Sequence, residues 1–157
     1  MQKPEGKWII GIDPGLDGGI AAYDGLNLIF HQRMPVIKNG TKRVLNIGRI
    51  VETLNQPEIQ AIVLEKVHSM PKQGVASTFK FGENYGVIKG VSAGIGKMLV
   101  EVTPQEWKKS VIRGVDLALG KKMSVAFCCN MFSKENLTDG EADAACMAVW
   151  GWKFLAF

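Results

Sequence analysis

The segment Trp8-Ile9-Ile10-Gly11-Ile12-Asp13 is a short apolar run that ends on a carboxylate and is cut off at once by Pro14-Gly15. A run of that length bounded by a turn signal reads as a β-strand. Ile59-Gln60-Ala61-Ile62-Val63-Leu64-Glu65 has the same form, a buried-type strand that also closes on an acid. Two such strands constrain the chain to a sheet whose strand ends carry charge, and in α/β sheets functional groups gather at those ends.

The rest of the pattern builds outward from these two strands. Gly19–Tyr23 and Leu28–Met34 are short strands separated by the turn residues Asp24-Gly25, so the first three strands form an antiparallel meander. Arg43 to Asn55 places Val44, Ile47, Ile50, Val51 and Leu54 at helical spacing, which predicts an amphipathic helix. A further helix is expected over Thr78–Ala93 despite its glycines, and a fifth strand over Met98–Val102. Thr103 and Pro104 are a cap and first residue for a short helix; other helices are expected over Lys122–Phe132 and from Asp139 into Trp150. The order β-β-β-α-β-α-β-α-α-α predicts an α/β fold: a mixed five-stranded sheet flanked by helices.

With 157 residues and 46% apolar content the chain suits a single domain over 1–157 with one core. No apolar run nears the roughly 18 residues of a membrane span, and the N-terminus lacks a signal-peptide core. The expectation is a cytoplasmic protein with no membrane partner. Cys128, Cys129 and Cys146 form neither a disulfide framework nor a zinc spacing, and their apolar neighbours predict buried thiols. The net charge of +4 says little by itself.

The candidate chemistry lies in four acids. Asp13 and Glu65 end the first and fourth strands, and stand side by side if those strands are parallel neighbours. Asp139 and Asp143 lie four apart at the start of the last helix and share one face. Clustered carboxylates repel and are costly to desolvate, and a bound cation removes that cost. Oxygen-only ligands suit Mg²⁺ or Mn²⁺, and a pair of such ions supports phosphodiester hydrolysis. Each acid also has an ordinary reading: Asp13 as turn chemistry, Glu65 paired with Lys66, Asp139 as a helix cap. Asp143 is the hardest to explain that way, because it sits among Ala142, Ala144 and Ala145. Glu141 belongs to another face and reads as solvated.

Lys72, Gln73, Lys80, Lys108, Lys121 and Lys122 are candidate nucleic-acid contacts. Lys121 and Lys122 would open a helix, where the dipole favours an anion over a cation, which points to an anionic partner there. Trp107, Trp150 and Trp152 read as packing residues. The apolar tail after Trp150 is expected to fold back on the core or to join a dimer.

Taken together these segments resemble the RuvC-type Holliday junction resolvases. Ile10-Gly11-Ile12-Asp13-Pro14-Gly15 with Gly18-Gly19-Ile20-Ala21 is similar to the first motif, and Leu64-Glu65-Lys66-Val67 to the second. Ser77–Gly86 resembles the helix that follows, Val102–Lys108 the segment leading to a DNA-contacting lysine, and Gly120–Val125 a later basic motif. Asp139-Gly140-Glu141-Ala142-Asp143-Ala144 is similar to the closing acidic motif. The resemblance spans nearly the whole chain, and the wording of Met70–Ser77 is nearest the phage and organellar branches. It implies a ribonuclease-H-like fold, a homodimer, Mg²⁺ or Mn²⁺ held by Asp13, Glu65, Asp139 and Asp143, and paired nicks across a four-way DNA junction. Two positions depart from the bacterial pattern. Gly140 stands where those enzymes commonly carry an acid, so the role passes to Asp139. His68, Ser69 and Met70 stand where they place an aromatic wedge, so stacking would fall to His68 or Met70 or be absent.

Other readings of the same residues are an actin-like ATPase, for which the chain is short, a non-catalytic junction-binding protein, and a nuclease of the same fold acting on flaps, forks or RNA–DNA hybrids.

Overall fold

The computed structural model describes residues 6–68 and 71–155. Strands β1 (Trp8–Asp13), β2 (Gly19–Tyr23) and β3 (Leu28–Arg33) form the predicted antiparallel meander. A two-stranded hairpin follows, β4 (Val36–Asn39) and β5 (Lys42–Leu45), then α1 (Ile47–Leu54) and β6 (Ile59–Glu65). The chain continues through α2 (Val75–Gly94), β7 (Met98–Val102), α3 (Pro104–Val111), a 3-10 segment (Leu117–Lys122), α4 (Met123–Phe132) and α5 (Asp139–Phe154). The main sheet has the order β3-β2-β1-β6-β7, and β6 lies parallel to both β1 and β7. This is the mixed five-stranded sheet expected from the sequence. Among the described residues no helix is long and apolar enough to cross a membrane.

The hairpin is the main departure. The apolar spacing from Arg43 suggests a helix, but Asn46 is its N-cap, accepting from the Arg49 amide at 3.1 Å, and Lys42–Leu45 pairs with Val36–Asn39 instead. The turn residue Gly40 has a φ of 64°, a backbone that glycine adopts freely and that fits a tight hairpin.

Strand alternation divides the core. Ile10, Ile12, Ile20, Ile62 and Leu64 face α1 and α2, together with Ile50 and Ile88. Ile9, Ala21, Ala61 and Val63 face the other way, toward α3, α4 and α5, with Trp107, Cys128 and Ala144. Side chains two apart share a face. Asp13 therefore follows Ile9 and Gly11 onto the α5 side, and Glu65 follows Ala61 and Val63 there. Helix α5 lies unusually close to β1: a Cβ on Gly11 would stand 1.9 Å from the Ala144 carbonyl oxygen. Only a glycine under a row of alanines permits that approach. Cys128 and Cys146 are buried as expected, whereas Cys129 is exposed on α4. Trp107 is fully buried, Trp152 packs on Tyr23 with ring centroids 6.0 Å apart, and α5 runs along the sheet to an exposed Phe154; Ala156 and Phe157 of the apolar tail lie outside the described residues.

Candidate functional site

Asp13 and Glu65 emerge from the ends of neighbouring parallel strands, whose register pairs Ile12 with Leu64. Helix α5 begins at the same end. Its N-cap is Thr138, which forms a capping box with Glu141, so Asp139 is the first helical residue and not the cap. One turn later Asp143 faces the strand ends. The predicted convergence of β1, β6 and α5 is present.

The electrostatics follow from this crowding. Burial, then repulsion from Glu65 and Asp143, pushes the Asp13 carboxyl up to about 7, against the opposing pull of the Gly15 amide and Lys108. Burial also raises Glu65; the Trp107 hydrogen bond opposes it and Asp143 adds to it. Asp143 is raised by burial as well, despite its bond from the Ser124 hydroxyl and the nearby Lys108 charge. Three carboxyls thus resist ionisation where the strand ends meet α5, and a positive charge placed there would relieve their repulsion.

The second layer of residues was not read as functional in the sequence. Trp107 Nε1 donates to Glu65 Oε2 at 2.8 Å, and the Ser124 hydroxyl donates to Asp143. Each bond fixes one carboxylate oxygen and leaves the other available, as supporting groups do around metal ligands. The signal for Trp107 was weak in the sequence: a tryptophan four residues after the capping Thr103 says packing, and only the fold brings its indole N–H to Glu65.

Lys108 lies nearer this centre than a phosphate contact at the periphery. Its charge acts on Asp13, Glu65 and Asp143 together, and its ammonium stands 5.1 Å from the Trp107 ring centroid. Lys122 binds Asp139 Oδ1 at 3.0 Å. Lys121 and Lys122 open a helix, as the sequence suggests. The 3-10 segment breaks at Gly120 (φ 54°), and the two lysines after the break lead into α4, with Lys122 as its cap residue. The anion drawn to Lys122 here is a carboxylate of the same chain. Glu141 also departs from expectation. It is buried, closes the capping box with Thr138, and lies 3.0 Å from His31 Nδ1. Burial opposes its ionisation, but the Thr138 amide and hydroxyl and His31 outweigh that and hold its carboxyl low. Its neighbours fold over it, which a reading of α5 as an isolated helix misses.

A groove of about 860 Å³ opens above the acids, with Asp13, Asp139 and Asp143 along it. Gln73, Lys80 and Lys121 line it, and so do Lys42 and Arg43 from the hairpin. Lys80 also pairs with Glu83 at 3.0 Å. Lys72 does not line this groove; it stands exposed in the turn before α2, with a left-handed φ of 69°. His68 is exposed, while Ser69 and Met70 lie outside the described residues.

Gly140 leaves no space for a side chain. A Cβ at Gly140 would meet the Asp17 carbonyl oxygen and the Gly18 Cα at 2.6 Å. The backbones touch there, so position 140 has no room for a carboxylate.

The donor set fits a hard divalent cation in kind: oxygen ligands, mutual repulsion and partial desolvation. Among the described residues no three acidic, histidine or cysteine side chains form a ready-made metal cluster. Mg²⁺ needs none, because it commonly binds one or two carboxylates and completes its shell with water and substrate phosphates.

By sequence the chain matches no protein-family model and no curated protein. By structure it superposes on a Thermus thermophilus RuvC solved in complex with Holliday junction substrate, with a TM-score of 0.67 over 91% of this chain and 90% of that one. The fold is that of RuvC. A second Thermus thermophilus RuvC structure gives a TM-score of 0.59 over 90% of this chain and 91% of that chain. The identities are 18% and 17%, so the likeness is one of fold. Within this ribonuclease-H-like fold the acids stand at the strand ends, where the helix and the groove meet.

Proposed function

We propose that this protein is a divalent-metal-dependent endonuclease that resolves four-way DNA junctions by paired phosphodiester hydrolysis. The observation that carries the reading is the convergence of Asp13, Glu65 and Asp143 from three elements of a RuvC fold, with carboxyls pushed toward neutrality and a cationic groove over Asp13 and Asp143. The solved RuvC complex with a Holliday junction supports the choice of substrate. Asp13, Glu65, Asp139 and Asp143 would hold Mg²⁺ or Mn²⁺. Bound ions supply an activated water and stabilise the leaving oxygen.

The chain's own residues then have defined tasks. Trp107 and Ser124 hold Glu65 and Asp143 in fixed rotamers. Lys108 offsets the negative charge of the floor before metal and DNA arrive. Lys122 releases Asp139 to the site when substrate phosphate competes for its ammonium. Lys80, Gln73 and Lys121 hold the strand over the floor, with Lys72 beside the groove. Paired nicks require two such sites related by a two-fold axis, hence a homodimer. The exposed Val75 and Phe79 on α2 support an interface there. The four-residue spacing of Asp139 and Asp143, together with the space Gly140 lacks, favours the phage-like branch of the family.

The test is cleavage of a synthetic four-way junction with Mg²⁺ or Mn²⁺, beside flap, fork and linear duplex DNA, by the wild type and by Asp13→Asn. Symmetric nicks in the junction, lost in the variant while binding persists, are the expected result. Cutting spread over flaps and forks makes it a general debranching nuclease. Junction binding with no metal-dependent cutting of any substrate leaves a binding protein.

A further inference from the structure

We infer that the β4–β5 hairpin is a backbone-binding arm of the nuclease groove, in which Lys42 and Arg43 take phosphodiester groups of the strand that crosses the acidic floor. This rests on the nuclease reading and adds a contact region to it.

The hairpin is built as an appendage. It forms its own two-stranded sheet, apart from the main one. Its base is anchored in the core: Leu45 is buried, Val36 packs on the core, and the Asn46 amide donates to the Pro35 carbonyl at 2.9 Å. Residues 37 to 43 are all exposed. A two-stranded ribbon this short gains little stability by itself. What its outer part offers is charge: Lys38, Lys42 and Arg43, with no acid between Val36 and Leu45.

The hairpin also stands in the right place. Lys42 and Arg43 line the groove that holds Asp13, Asp139 and Asp143, and Lys80 of α2 and Lys121 of the 3-10 segment line it too. Cations from three separate elements thus border one acidic floor. Arg43 Nη1 donates to Asp17 Oδ1 at 2.8 Å, and Asp17 belongs to the turn that follows Asp13. A second cleft of about 410 Å³ shares Asp17, Arg43, Asp139 and Gly140 with the groove and adds Arg33 and Thr138. The Arg43–Asp17 pair therefore sits where two clefts meet, and the joined path leads past the acids to another arginine.

The pair is weakly held. Its side chains are 47% and 86% exposed, and ion pairs in that setting contribute little. A guanidinium prefers the bidentate geometry that a phosphate offers, and a polyanion presents phosphates at high local density. Exchange of Asp17 for a phosphodiester costs the fold little and brings the hairpin onto the strand.

The experiment compares two charge-matched double variants in the Asp13→Asn background, which removes cutting. Lys42→Ala/Arg43→Ala removes the arm's cations; Lys7→Ala/Lys153→Ala removes two positive charges outside the groove. Affinity for a synthetic four-way junction is measured across a salt series. Loss of the arm is expected to weaken binding about 3- to 10-fold per residue and to flatten the log–log salt slope by about 1 per contact, with the control pair unchanged. Equal behaviour of the two pairs, or no effect of either, overturns the arm while leaving the nuclease reading intact. If the parent binds no branched DNA at all, the nuclease reading fails and the arm falls with it.

Discussion

The floor of the groove and its rim are built by opposite means. The floor is dense: Asp13 and Asp143, with Glu65 beside them, are held by strand register, by the contact of α5 with β1, and by bonds from Trp107 and Ser124. The rim is open. Lys42, Arg43 and Lys121 are exposed and Lys80 is half-buried, and the ion pairs of Arg43 and Lys80 are with exposed carboxylates. The difference teaches which changes matter where. A floor residue acts through geometry and is intolerant of volume. A rim residue acts through charge, is tolerant of volume, and answers to salt.

The comparison breaks most visibly at the helix–strand contact. Gly11→Ala places a methyl against backbone atoms of Ala144 and Ala148 that cannot turn aside. It should cost roughly 3 kcal/mol and lower Tm by about 10 °C in thermal denaturation, while Lys42→Ala leaves Tm within about a degree. Equal effects would erase the distinction between floor and rim.

Next in size is the cost of charge on the floor. An Asp13 carboxyl at about 7 in the folded state, against 3.8 in the unfolded chain, means the folded form holds its proton over that interval. Its contribution to stability is fully present below about 4 and is lost as pH rises through about 7. The shift corresponds to about 4 kcal/mol as an upper figure. With chelator present, Asp13→Asn should raise Tm by several degrees at pH 8 and by little at pH 4, while the proposed function expects the same change to abolish cutting. A variant no more stable than the parent at pH 8 would show that Asp13 carries no such burden.

Trp107→Phe sharpens the floor further. It keeps the buried ring and removes the donor to Glu65. The Mg²⁺ concentration for half-maximal cleavage should rise about tenfold, with junction binding by the metal-free protein unchanged. The same indole N–H gives a separable NMR signal that should move on metal addition in the wild type. Loss of DNA binding together with cleavage would instead mark Trp107 as packing alone.

The smallest effect belongs to the rim. Asp17→Asn frees Arg43 and removes one negative charge from the groove, so junction affinity should rise about 2- to 3-fold at low salt and converge with the parent at high salt. A fall in affinity would mean the Arg43–Asp17 pair serves to hold the hairpin in place.

The sequence by itself determined a good part of this protein. Apolar runs closing on Asp13 and Glu65 gave the strands and their charged ends. The four-residue spacing of Asp139 and Asp143 put both on one face of a helix, because such signals are local and repeat along the chain; the parallel pairing that sets Asp13 beside Glu65, and the packing of α5 against them, came from the fold. The hairpin escaped that reading: Val44, Ile47 and Ile50 fit a helical period, and the Asn46 cap and the pairing with Val36–Asn39 outweighed it. Trp107, Ser124 and His31 escaped it as well. Their partners are Glu65, Asp143 and Glu141, which lie 42, 19 and 110 residues away in the chain. Only tertiary structure decided those bonds, and only the contact between Gly18 and Gly140 decided which position near the start of α5 has room for an acid. The physical reason is the same throughout. Local pattern records which way a side chain points, while the space and the partners it meets there are set by chain that packs against it from far away.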